Sequence, residues 1–302
     1  MTDPFTKPEH VGTPVRRSKD GRPYVFDFDK GKEAAWARVT SFIDVLDDKT
    51  MLAKWGERMA LIGVRDDVAV GGALMSLTPV PKLSGRPTHD ELVERNGLLD
   101  DEKKALNAII ADAKEAAGWK DAANLGTLLH KLTETVDGGG ELPADTSEVL
   151  ADDVAAYQAA LERYNLVPVE AETFVVNDEV KAAGTFDRIF EWTKPDGTTL
   201  RVCGDLKTGR VDYGHGKLAM QLALYANSSR YDPANPEWRG ELDVSTEVGL
   251  IVHLPAGAAD CRVYAVDLDA GWRGVMLAAV VRGWRRESAR GMLTDLALEM
   301  DG

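Results

Sequence analysis

Between Gly184 and Tyr225 the chain reads GTFDRIFEW, then KPDG, then TTLRVCGDLKTG and, further on, QLALY. Two strand-like runs around a Pro-Asp-Gly turn predict a β-hairpin, and the turn sets which residues oppose each other. The turn midpoint lies between Pro195 and Asp196, so Asp187 and Asp205 are almost equidistant from it. Opposed residues on one face of an antiparallel pair have Cβ atoms about 4.5–5.5 Å apart. Carboxylates that close repel, and one keeps its proton unless a cation lies between them. Lys207 follows Asp205 by two positions and shares its face. Regular alternation puts Asp187 on the face of Ile189 and Glu191. Two acids and an ammonium meeting at one point suit metal-assisted phosphodiester hydrolysis.

Composition narrows the setting. The 302 residues are 44% hydrophobic and 28% charged, the balance of a globular chain with an ample core. No run is long enough to span a bilayer, and the polar start MTDPFTKPEH has no apolar signal region. These features predict an unprocessed cytoplasmic protein with no membrane partner. The two cysteines, Cys203 and Cys261, are too few for a disulfide framework or for the four thiolates of an iron–sulfur cluster. A formal charge of −14 argues against a protein that coats nucleic acid. A DNA substrate would then need a local channel of Arg and Lys.

The helical period dominates the first half and the strand period the second. The expected fold is α/β: a mixed β-sheet flanked by helices, with an N-terminal helical region over 1–90 packed on a core over 91–302. Asp20-Gly21 marks a small hairpin in VRRSKDGRPYVF. A helix from about Thr50 carries the stripe Leu52, Trp55, Met59 and Ile62, and the Gly- and Pro-rich stretch 68–88 reads as a loop. Asp100 or Asp101 caps a helix to about Ala117. The next helix buries Ala122, Leu125, Leu129, Leu132 and Val136 and stops at the glycines 138–140. Thr146 or Ser147 caps another, with Leu150, Val154, Tyr157, Leu161 and Tyr164 on one side. Strands follow at 169–177, 184–192, 198–206, 246–254 and 261–268, with helices at 215–229 and 269–290.

Residue chemistry assigns roles. Mg²⁺ takes one or two protein carboxylates and completes its shell with water and phosphate. Asp187 and Asp205 provide the carboxylates, with the Leu206 carbonyl within reach, and Lys207 holds the attacking water and offsets transition-state charge. His130 lies one helical turn after Gly126, whose missing side chain leaves room beside the imidazole, a further ligand suited to Mn²⁺. Read alone, His130 is as well a surface histidine. Glu134 is either a solvated acid or a partner for it. Gln221 and Tyr225 share a helix face and either address the site or pack as core. Glu170 and Glu172 precede the hairpin, and neither is a favoured ligand; His215 and His253 have no evident partner. On the last helix, Arg282, Arg286 and Arg290 form an i, i+4 stripe beside Arg285 that lines a DNA path or simply faces solvent with Glu287.

The ordered set GTLLH (126–130), GTFD (184–187), DLK (205–207) and QLALY (221–225) resembles the PD-(D/E)XK nuclease superfamily, and within it the RecB-like exonuclease group of bacterial recombination enzymes and phages. The matched motifs span about a hundred residues; each is weak alone and specific in combination. The resemblance implies a restriction-endonuclease-like core. It implies His130, Asp187 and Asp205 as metal ligands, Lys207 as the catalytic lysine, and Gln221 and Tyr225 as the motif that follows it. A relative in CRISPR adaptation carries a four-cysteine iron–sulfur cluster, which this chain lacks the cysteines to build. No GxxxxGK[ST] phosphate loop is present, so unwinding would fall to another protein.

The resulting expectation is a Mg²⁺- or Mn²⁺-dependent deoxyribonuclease, an exonuclease acting on linear DNA ends in recombination or replication. A homo-oligomer and a single-strand-binding or recombination protein are its expected partners. A structure-specific or flap endonuclease with the same site, or a non-catalytic DNA-binding protein that kept the fold, are the alternatives.

Overall fold

The structure, a computed structural model, describes residues 14–80, 82 and 85–288. The chain divides into two compact units: residues up to Asp47 together with those from Gly126 onward, and Asp48–Leu125.

The larger unit opens with a hairpin, β1 (Tyr24–Asp27) and β2 (Lys32–Ala35), followed by β3 (Ala37–Arg38), α1 (Val39–Ile43) and a 3-10 turn at Asp44–Leu46. The smaller unit holds α2 (Thr50–Asp66), α3 (Val68–Met75) and α4 (His89–Ala116). Then come α5 (Asp121–Asp137), α6 (Glu148–Tyr164), β4 (Leu166–Asn177), β5 (Ala182–Thr193), β6 (Thr199–Lys207) and α7 (His215–Ala226). The chain continues through β7 (Ser229–Asp232), β8 (Asn235–Gly240), β9 (Val248–His253), β10 (Arg262–Asp267) and α8 (Leu268–Ser288).

Eight strands form one sheet in the order β10-β9-β6-β5-β4-β7-β8, with β3 alongside the start of β5. Only β6–β9 and β3–β5 run parallel, so the sheet is mixed and mostly antiparallel. The central hairpin follows its turn: Gly197 takes φ +85°, and Asp196 accepts from the Thr198 N–H at 2.9 Å. From there the β5–β6 register runs from Thr193↔Thr199 to Arg188↔Gly204.

Alternate residues of the sheet enter different cores. Ile189, Cys203 and Ile251 pack with α1, α7 and α8, whereas Phe190, Val202, Leu250 and Val252 pack with α5 and α6. Helices thus flank the sheet on both faces. Both cysteines are buried free thiols, and burial pushes each up to about 12.

Several expectations need correction. The boundary near residue 90 falls inside α4, which begins at His89 because Thr88 and Glu91 form a capping box. Residues 14–47 belong with the sheet, since β3 pairs with β5 and α1 packs in its core. The stretch 68–88 contains α3, started by Asp67, whose carboxylate accepts from the N–H groups of Ala69 and Val70. In α2 the buried residues are Gly56 and Gly63, while Leu52 is 52% exposed. A Cβ at Gly63 would collide with the Ala113 carbonyl, so small residues rather than an apolar stripe set the α2–α4 approach. In α5 the buried positions are Gly126, Leu129, Leu132, Thr133 and Asp137, and Ala122 is exposed. The Asp20-Gly21 turn is closed by an antiparallel bridge between Arg17 and Pro23 just before β1, whereas β2, β3, β7 and β8 are not among the expected strands, and α7 stops at Ala226.

Candidate active site

The hairpin ladder stops one rung before Asp187 and Asp205. On the other side of β5 the register with β4 runs Ala171↔Arg188 and then Thr173↔Phe186, so Glu172 and Asp187 oppose each other without pairing. Glu172 has φ +51°, the left-handed region that non-glycine residues rarely occupy. The side-chain alternation slips at this rung. Phe186 and Ile189, three apart, lie in the same core, which a regular pleat forbids. Phe186 reaches the Tyr225 ring of α7 at 5.9 Å, while Arg188 turns to α5. Asp187 therefore does not share a face with Ile189 in the ordinary sense; it stands where the two faces exchange.

From that position the Asp187 carboxylate reaches both sides. Its Oδ2 accepts the Leu206 N–H at 2.9 Å and lies 3.6 Å from His130 Nδ1 on α5. Leu206 thus enters through its N–H, and its side chain is core. Asp205, 3% exposed, points toward α7, where Gln221 Nε2 donates to Oδ1 at 2.9 Å. Lys207 Nζ lies 2.5 Å from Asp205 Oδ2, as expected for two positions along one strand face. Tyr225 is core against Phe186 and also hydrogen-bonds Gln221. Gly184 makes room for it: a Cβ there would sit 3.2 Å from the Tyr225 ring.

The electrostatics follow from burial. Asp205 is pushed up to about 6 by its desolvation, with the Asp187 charge adding to the rise and Lys207 opposing it. Desolvation also pulls His130 down, helped by Arg188 and Lys207 and opposed by Asp187. Glu172 keeps contact with solvent yet is raised to about 7, by partial burial first and then by Glu134 and Asp187. It shares a hydrogen bond with Glu134. The sequence offered Glu172 only as an unfavoured ligand candidate beside Glu170, and its position opposite Asp187 is what distinguishes the two. Glu170 is instead tied up with Arg201 and Arg230 at 2.9 and 2.6 Å.

Behind this cluster is a second arrangement that the sequence did not suggest. Arg188, 1% exposed, donates from Nε to Asp137 Oδ2 at 2.6 Å and from Nη2 to Thr133 Oγ1 at 2.7 Å. Tyr157 OH donates to the same Asp137, and its ring lies 5.5 Å from the guanidinium. Thr133 also donates to the His130 carbonyl at 2.9 Å, so the network reaches the residue facing Asp187. The space beside Gly126 is not open: a Cβ there would sit 2.6 Å from the Thr208 hydroxyl, so α5 touches the loop after β6.

Other candidates lie elsewhere. His215 contacts the Val211 carbonyl and His253 the Gly209 carbonyl, each at 2.9 Å. Arg282 does not extend from a basic stripe: it stacks on Phe42 at 4.8 Å and donates to the Ser41 carbonyl. Arg286 is exposed, and Arg290 lies outside the described residues.

Among the described residues, no group of three or more His, Cys, Asp or Glu side chains is arranged to hold a metal ion. Asp187, 3.6 Å from His130, accepts the Leu206 N–H, and the Asp205 oxygens are engaged by Lys207 and Gln221. No helix among the described residues is long and apolar enough to cross a membrane.

Comparison with known proteins assigns no family. No protein-family model matches the chain, and no curated protein does. The crystal structure of SSO0001 is similar at 15% identity, covering 76% of this chain and 87% of that one, with a TM-score of 0.24. A likeness that loose carries no argument about fold or activity.

Proposed function

We propose that this chain is a Mg²⁺- or Mn²⁺-dependent deoxyribonuclease with a restriction-endonuclease-like core and a PD-(D/E)XK-type site, acting on linear DNA ends. The observation that carries the reading is the end of the β5–β6 hairpin, where Lys207 contacts Asp205 and Asp187 stands at the adjoining rung. The fit to a divalent cation rests on Asp205. Its carboxyl is raised first by burial and further by Asp187, against Lys207 and Arg188, and a cation between the two acids would offset that rise.

Asp187 and Asp205 would hold the ion, with His130 beside Asp187. When bound, such an ion polarises a phosphate oxygen and makes water more acidic. Lys207, released from Asp205, positions the attacking water and offsets the negative charge that gathers on the phosphate. Gln221 orients Asp205 through its amide. Glu172, raised to about 7, can hold or release a proton near neutral pH beside Asp187.

The test is digestion of end-labelled duplex DNA with Mg²⁺ or Mn²⁺, wild type against Lys207→Ala. Loss of a preorganised charge of this kind costs about 10²–10³ in rate, and DNA binding should persist. Equal rates in the two proteins would remove the mechanism. Cleavage of closed circular DNA would replace the end-directed reading with an endonuclease.

A further inference from the structure

Outside the acid site, a cleft of roughly 380 Å³ lies among the β1–β2 hairpin, the β4–β5 turn, α1 and α8. Five cationic side chains line it, Arg22, Lys30, Lys181, Arg282 and Arg286, against two acids, Asp27 and Glu179. Cations outnumber acids in this lining, in a chain whose formal charge is −14. Such a concentration does not arise from overall composition.

Pairing confines the surplus to the two arginines of α8, since Arg22 lies 3.8 Å from Asp20. Asp27 is already shared by Lys30 and Lys181, each at 3.3 Å, and Lys181 also reaches Asp29. Among the described residues, neither Arg282 nor Arg286 forms an ion pair with a carboxylate. Arg282 is held in place by Phe42 and by the Ser41 carbonyl, a neutral acceptor. Its pKa is pulled down by burial and then by Arg286 and Arg285, all unfavourable to its charge. The same two arginines also border a second cleft of roughly 350 Å³, with Ser41, Asp44, Val45 and Arg285. A held guanidinium, that of Arg282, beside the exposed one of Arg286 offers unused donors to a planar or tetrahedral oxyanion.

We propose that this cleft, centred on Arg282 and Arg286, binds a phosphate group. A multiply charged anion matches the surplus better than a single carboxylate does. The phosphate could belong to a nucleic-acid end or to a free polyphosphate. This inference is independent of the nuclease reading.

The experiment is calorimetric titration of the full chain with inorganic pyrophosphate in EDTA at low salt, where no turnover occurs. Arg286→Glu and Arg22→Glu are compared with wild type, because both avoid the Arg282–Phe42 packing; thermal unfolding checks that each is folded. Expected is saturable binding that weakens about tenfold or more in each variant, equivalent to about 1.4 kcal/mol, and survives Lys207→Ala. A parallel titration uses an oligonucleotide with a terminal phosphate and its unphosphorylated counterpart. Preference for the phosphorylated strand assigns the phosphate to a nucleic-acid end, and equal binding assigns it to a free polyphosphate. Absent pyrophosphate binding at millimolar concentration, or equal affinity in both charge-reversed variants and wild type, overturns the site.

Discussion

Helices α5 and α7 pack on opposite faces of the same strands, and different forces hold them. In α7 every residue from Met220 to Ala226 is buried, mostly in apolar contact. Gly271 of α8 lets that helix close against the Ala219 carbonyl. Gln221 of α7 turns an amide to the sheet, and that amide serves Asp205. Helix α5 has Leu129 and Leu132 buried, but it is fastened by Asp137 and Thr133 to the buried Arg188. The apolar face stabilises and tolerates repacking. A buried ion pair contributes little net stability but fixes one geometry, because breaking it strands a charge. Here that geometry joins His130 to the rung of Asp187.

The contrast can be broken most strongly at Arg188. Arg188→Met leaves the Asp137 carboxylate buried without its cation and should cost about 3–5 kcal/mol in urea unfolding. Arg188→Met with Asp137→Leu should recover most of that loss; no recovery would mean the arginine acts by packing alone. On the other face, Leu222→Ala should cost roughly 2–4 kcal/mol by leaving a cavity, with the same penalty from pH 5 to 8.

Asp205 adds a pH dependence to the apolar face. Its carboxyl, ordinarily near 3.8, is raised to about 6 in the folded chain. The folded state therefore binds the proton more tightly than the unfolded state, and stability falls as pH rises from about 4 to 6. The drop should be on the order of 2–3 kcal/mol, and Asp205→Asn should abolish it in unfolding curves taken across that range. The smallest effect is expected from Gln221→Ala, which removes one charge-assisted hydrogen bond for roughly 1–2 kcal/mol at pH 7. A null result there would make the amide incidental.

What could be read from residues alone was what depends on regular periods and turn chemistry. The KPDG turn set the hairpin register, and the parity of Asp205 and Lys207 put them on one face. Five of the strands and the helix that starts after Ser147 followed from the same rules, although the Ser147 side chain makes no cap hydrogen bond. The slip at Glu172 and Asp187 could not be read, because no glycine or proline marks a left-handed glutamate. Nothing in the sequence singled out Arg188, since its partners Asp137 and Tyr157 are brought to it only by folding. In α2 the apolar stripe pointed the wrong way because close backbone approach at Gly63, not side-chain area, decided the contact.

The unpaired rung has one more consequence. Because β4 and β5 lose step together, excising Glu172 and Asp187 as a pair would return both strands to an even pleat and relieve the awkward backbone at 172. Selection for thermal robustness alone would favour that shortened sheet. A chain that keeps both residues breaks its central ladder at one rung, and there it sets a carboxylate between two faces and turns Arg188 toward α5.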